Sequence, residues 1–123
     1  MSTFHKQLKN KTHQFIMLVY DLTESFPKSE LYGTVSQLRR AAVSVMLNYV
    51  EGFARIKLKV KLNSYETSYG SIRECKYLLF LACERKWIIK EEYIKVFAIT
   101  DEISAMLWSL IDGLEKEIKL DEA

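Results

Sequence analysis

Gly33-Thr34-Val35-Ser36-Gln37-Leu38-Arg39-Arg40-Ala41-Ala42-Val43-Ser44-Val45-Met46-Leu47-Asn48-Tyr49-Val50-Glu51-Gly52-Phe53-Ala54-Arg55 is the stretch whose reading decides the fold. Val35, Leu38, Ala42, Val45, Tyr49 and Phe53 recur at spacings of three and four. At ~100° per residue they form one apolar stripe. Gln37, Arg40, Ser44, Asn48, Glu51 and Arg55 then fall on the opposite side. Val43, Leu47, Val50 and Ala54 widen the apolar arc beyond that of a simple surface helix. Glu51 precedes Arg55 by four residues, the favourable order for a helical ion pair. The spacing predicts a long helix.

Upstream, Phe4, Leu8, Phe15, Val19, Leu22 and Phe26 make a second helical stripe, with Thr12 in its gap. Pro27 is expected to end that helix, because its ring cannot continue the ladder and it restricts Phe26. Downstream, Ile56-Lys57-Leu58-Lys59-Val60-Lys61-Leu62 alternates like a strand. A lone strand has no partner, so the segment reads as a tight connection turning into a third helix. That helix carries Leu62, Tyr65, Tyr69, Ile72, Leu79, Cys83 and Trp87 on one side. From Tyr77 to Cys83 it is apolar all round, which implies burial on more than one face. A fourth helix begins near Lys90, with Glu91 and Glu92 at its positive end and Lys116 and Lys119 near its negative end. Its core stripe is Val96, Ile99, Ile103, Leu107, Leu110, Leu114 and Ile118.

Four helices with short connections predict an all-α fold, an antiparallel up-down four-helix bundle forming one domain over residues 1–123. Composition agrees. One Pro and four Gly supply little turn chemistry for a β fold, and 49% hydrophobic with 28% charged residues describes a soluble globular chain. Cys75 and Cys83 would lie about 12 Å apart along one helix, too far for a disulfide, and read as small buried hydrophobes in a reducing compartment. No secretory signal or membrane span is visible, so a cytoplasmic location is expected.

Chemistry is sparse. The two histidines, His5 and His13, have no Glu-x-x-His partner, and there is no Cys-x-x-Cys or glycine-rich phosphate loop. No catalytic residue, cofactor or metal is expected. The polar stripe Gln37, Ser44, Asn48 and Glu51 has two readings. Ser44 and Asn48, with Gly52 four residues further on, allow close helix approach, or Gln37, Arg40, Asn48 and Arg55 face a central channel or a polar partner. The basic set Arg39, Arg40, Arg55, Lys57, Lys59 and Lys61 also has two. It is a phosphate-binding surface with Tyr49, Phe53 and Tyr65 stacking on bases, or a solvated face with those aromatics turned inward. Charge is uneven: residues 1–61 hold ten Lys/Arg against four Asp/Glu, a net +6, and residues 62–123 hold eight against twelve, a net −4. The excess apolar surface on the third and fourth helices nominates Leu78, Leu81, Ile94, Phe97 and Trp108 as oligomer contacts.

Several segments together resemble a known family. Phe26-Pro27-Lys28-Ser29-Glu30-Leu31-Tyr32-Gly33, Ser36-Gln37-Leu38-Arg39-Arg40-Ala41-Ala42-Val43-Ser44-Val45, Asn48, Glu51-Gly52 and Gly70-Ser71 with Glu74 resemble the 23S rRNA-intervening sequence proteins. The resemblance implies an antiparallel four-helix bundle assembling into a ring-like homopentamer. It also implies a fold similar to the accessory variability proteins of diversity-generating retroelements, basic pentamers that bind nucleic acid and a reverse transcriptase. One departure is Val45-Met46-Leu47-Asn48-Tyr49-Val50-Glu51-Gly52 where the family commonly has Ile-Pro-Ala-Asn-Ile-Ala-Glu-Gly; the missing proline predicts a straighter second helix. The other is Lys57 and Leu58 where a polar cap often opens the third helix. The expectation is a non-enzymatic homo-oligomer binding RNA or DNA through the basic set, or alternatively a scaffold for a protein partner such as a reverse transcriptase.

Overall fold

A computed structural model describes residues 2–123. It is all helical among those residues: α1 Thr3–Thr23, α2 Ser36–Ala54, α3 Leu58–Glu84 and α4 Lys90–Glu122. Successive helices pack as neighbours and α4 returns to α1, so the expected four-helix bundle is what forms. The core runs through all four. Leu8, Phe15 and Val19 of α1 meet Leu38, Ala42 and Val45 of α2, Ile72 and Leu79 of α3, and Val96, Ile103 and Leu107 of α4, all essentially inaccessible.

The boundaries differ from the sequence reading in instructive ways. α1 stops at Thr23, short of Pro27. The amides of Glu24, Ser25 and Phe26 donate to the carbonyls of Asp21, Leu22 and Thr23, a tightening to three-residue steps. The Ser25 hydroxyl donates to the Leu22 carbonyl at 2.9 Å, offering the backbone a non-helical partner. Phe26 is still buried, but off the helix, with its ring 5.3 Å from that of Trp87. A short 3₁₀ turn, Lys28–Glu30, and a wide π turn, Leu31–Val35, lead into α2, broken at Gly33. There the Glu30 carboxylate accepts from the Thr34 hydroxyl at 2.6 Å and from the Thr34 amide. Those two bonds, with Arg85 nearby, hold Glu30 below the usual carboxylate range.

The alternating segment is no strand. Arg55–Lys57 is a three-residue link and α3 starts at Leu58 without a side-chain cap. Lys61 instead closes the other side of the link, donating to the carbonyls of Gly52 (2.7 Å) and Phe53 (3.0 Å) at the end of α2. At the far end of α3, Lys86 takes a positive φ of 62° and the Trp87 amide returns to the Ala82 carbonyl at 2.8 Å. Trp87 therefore lies beyond the helix on which its spacing placed it. α4 opens with the Glu92 carboxylate accepting from the Ile89 amide.

Candidate functional site

The polar stripe of α2 divides along its length. Its lower half is a close seam with α3. Ser44 and Ser71 share a hydrogen bond of 2.8 Å, and the Ser68 hydroxyl donates to the Val45 carbonyl at 2.6 Å. Asn48 spends its amide on the Ser44 carbonyl and hydroxyl, both at 3.0 Å. A Cβ on Gly52 would stand 2.7 Å from the Tyr65 ring. The matching small residues on α3, Ser64, Ser68 and Ser71, are buried. Sequence patterning missed them because serine counts as polar; their spacing of four and three was the available signal. Towards the start of α2 the seam opens into a crevice of about 360 Å³ lined by Gln37, Arg40, Ala41, Ser44, Ser71 and Glu74. Glu51, lower on the stripe, is engaged by Arg55.

The basic set is not brought together. Arg40 and Arg55 are fifteen residues apart along α2, roughly 22 Å. Arg39 is committed to the α1–α2 contact: Nε donates to the Thr23 hydroxyl at 2.8 Å and the guanidinium lies 4.6 Å over the Tyr20 ring. Arg55 pairs with Glu51, Lys59 with Glu122 at 2.9 Å, and Lys61 with the α2 carbonyls. Arg40 and Lys57 have no intramolecular partner among the described residues. Two of the aromatics nominated for stacking are unavailable, Tyr49 and Tyr65 being each 2% exposed; Phe53 is 40% exposed, with the edge of the His5 ring against it at 4.8 Å.

The oligomer candidates also divide. Leu78 is 7% exposed, so it belongs to the protomer's own core and is not a free contact. Leu81 and Phe97 are half-buried, while Ile94 and Trp108 stand out, Trp108 at 56% exposure. Tyr77 and Phe80 of α3 are exposed as well. Arg73, Lys76, Tyr77, Phe80, Tyr93 and Phe97 line a groove of about 430 Å³ between α3 and α4. Lys76 bridges its rim to Asp101 at 2.9 Å, and Trp108 extends the strip, its ring 5.7 Å from Tyr69.

A second apolar strip lies on the α1–α2 side. Met17 and Tyr20 of α1 and Leu47 and Val50 of α2 are exposed, with Leu47 at 61%. The surplus arc of Val43, Leu47 and Val50 is its sequence signal. Tyr20, Arg39, Arg40, Val43 and Leu47 line its groove, about 410 Å³.

Cys75 is buried, and burial, with Glu74 adding to it, pushes its thiol up to about 12, so no thiolate forms near neutrality. Among the described residues no three His, Cys, Asp or Glu gather as a metal site, and no helix is long and apolar enough to cross a membrane.

Fold and surface together define a four-helix bundle bearing two unlike apolar strips and a divided set of cations. Residues 5–109 match the model of the 23S rRNA-intervening sequence proteins, and the chain belongs to that family. No curated protein matches it. Among solved structures, the chain is similar to a protein of unknown function from the S23 ribosomal protein family of Bacteroides thetaiotaomicron. The two share 21% identity and a TM-score of 0.78, over 85% of this chain and 97% of that one. At that identity the likeness speaks for the fold alone.

Proposed function

We infer that this protein is a non-enzymatic building block that assembles head to tail with copies of itself. The observation carrying this is the pair of unlike apolar strips, Met17, Tyr20, Leu47 and Val50 on one side and Tyr77, Phe80, Ile94 and Trp108 on the other. An isologous contact would set each strip against itself. That would also oppose like charge, since the first half of the chain carries +6 and the second −4. A head-to-tail contact sets the basic half against the acidic half, which favours the encounter and disfavours the self-pairing. Repeated, such a contact closes into a ring; five copies is the number the family resemblance implies.

Light scattering on the purified chain at about micromolar concentration tests this. The expected particle is larger than a dimer. Leu47→Glu and Phe80→Glu are each expected to give monomers, and mixing the two variants to give dimers, because one intact strip of each kind remains between them. A monomeric wild type, or a mixture that stays monomeric, overturns the reading. A different protein seated on either strip is the competing outcome, visible as a partner recovered from the native host with the monomeric chain.

Nucleic-acid binding is the second reading, resting on a smaller surface than the sequence suggested. Arg55, Lys57 and Lys59 lie at the α2–α3 corner, Lys57 has no partner among the described residues, and Ile56 between them is 92% exposed. A ring would repeat this corner once per copy, making a weak monomeric site multivalent.

A further inference from the structure

The first turns of α1 meet the α2–α3 corner around a single imidazole. His5 Nδ1 lies 2.6 Å from the Tyr49 hydroxyl oxygen. The ring stacks on Tyr49 at 5.9 Å and sets its edge against Phe53 at 4.8 Å. Tyr49 stacks in turn on Tyr65 at 5.9 Å. His5 is the one hydrogen-bond partner of the Tyr49 hydroxyl among the described residues. Lys61, bonded to the α2 carbonyls, lies 5.8 Å over the Phe53 ring and 5.6 Å over that of Tyr65.

A buried phenol needs an acceptor for its proton. Neutral imidazole with its own proton on Nε2 offers Nδ1 for that purpose. Imidazolium carries N–H on both nitrogens and can only donate. The Tyr49 oxygen would then accept, and its proton would have nowhere to go. Protonation would also set a second positive charge near Lys61. The titratable groups facing the ring are Tyr49 from α2 and Lys61 and Tyr65 from α3, with Glu117 of α4 close enough to act on Lys61.

We propose that His5 is a proton-operated latch: neutral, it clamps the first turns of α1 onto the α2–α3 corner, and protonated, it lets them go. Burial, and Lys61 after it, hold His5 below its ordinary value of 6.5. The open chain therefore binds this proton more readily than the closed one. The latch is complete above 6.5 and weakens as the pH falls through that value towards the closed-state one. Release is local. Leu8 and Phe15 are buried in the core, Lys11 reaches Glu102 at 2.5 Å, and Arg39 secures the far end through Thr23. Opening frees the Phe53 face and adds a charge to the corner that carries Arg55 and Lys57. The latch does not depend on the assembly reading, whose α1 residues lie in later turns.

Amide hydrogen exchange and histidine ring resonances, followed by NMR from about pH 7.5 to about pH 5, test it. The His5 ring is expected to titrate below 6.5. Protection factors for the amides of Lys6 to Asn10 are expected to fall with its protonation, while those of Ile103 and Leu107 hold. His5→Gln, whose side-chain oxygen can accept from Tyr49 without titrating, is expected to keep those amides protected at both ends of the range. Unchanged protection in the wild type, an equal loss in His5→Gln, or a loss spread evenly over all four helices overturns the latch.

Discussion

Gly52 and Gly70 show how much a single Cβ depends on its surroundings. Both lie within helices, where alanine is intrinsically better by about 1 kcal/mol. At Gly52 the added carbon would stand 2.7 Å from two atoms of the Tyr65 ring, itself wedged between Tyr49 and the core. Gly52→Ala is expected to cost about 1–2 kcal/mol in urea unfolding, the overpacking penalty outweighing the propensity gain. At Gly70 nothing lies within 4 Å. Gly70→Ala is expected to stabilise by about 0.5–1 kcal/mol in the same measurement. The row Ser44, Asn48, Gly52 was readable in the sequence as a possible site of close approach. What it approaches was not, because the serines of α3, although they run one residue ahead of Tyr65, Tyr69 and Ile72 on the same spacing of four and three, count as polar and read as a solvated face.

Along the elements, the apolar run from Tyr77 to Cys83 was legible as excess and misleading in detail. A helix turns through the whole circle in a little under four residues, so some of the run had to face inward. Leu78 and Leu79 do so, and Tyr77 and Phe80 do not. Leu78→Ala is expected to cost about 2–5 kcal/mol. Phe80→Ala, tested in the monomeric Leu47→Glu background, is expected to change stability by no more than about 0.5 kcal/mol. Denaturant midpoints with unchanged slopes would check both. The lysines of the alternating segment are similar. Their spacing gave no sign that α3 begins at Leu58, which turns Lys61 back onto the α2 carbonyls and Lys59 towards α4.

For the whole molecule, the packing of helices dispersed a charge set that looked coherent in one dimension. Arg39 and Arg40 sit on one half of α2 and the lysines beyond its other end, and Arg39, Arg55, Lys59 and Lys61 already have partners within the protomer. Fluorescence anisotropy with labelled RNA across a salt series is expected to show weak binding at low salt that weakens steeply as salt rises. Lys57→Gln with Lys59→Gln is expected to flatten the log–log slope by about 0.7 for each single-strand phosphate no longer neutralised. Arg39→Gln is expected to loosen the α1–α2 contact instead, with little change in slope. Absent binding at low salt, or binding indifferent to the lysine changes, overturns the nucleic-acid reading.

The sequence alone determined the four helices, their antiparallel order and their inward stripes. These follow from local periodicity, and a 3.6-residue repeat points one way whatever it packs against. It also carried the family, through segments spread from Phe26 to Glu74. The tertiary structure decided which surplus apolar residues stay outside, which cations are already occupied, and which small residues meet across the α2–α3 seam. Those are properties of pairs of elements, set by how helices rotate about their axes to bury the most surface together. The second helix, from which the fold was first read, shows both: its stripe was plain in the sequence, and its opposite face acquired a meaning only when α1 and α3 closed on either side of it.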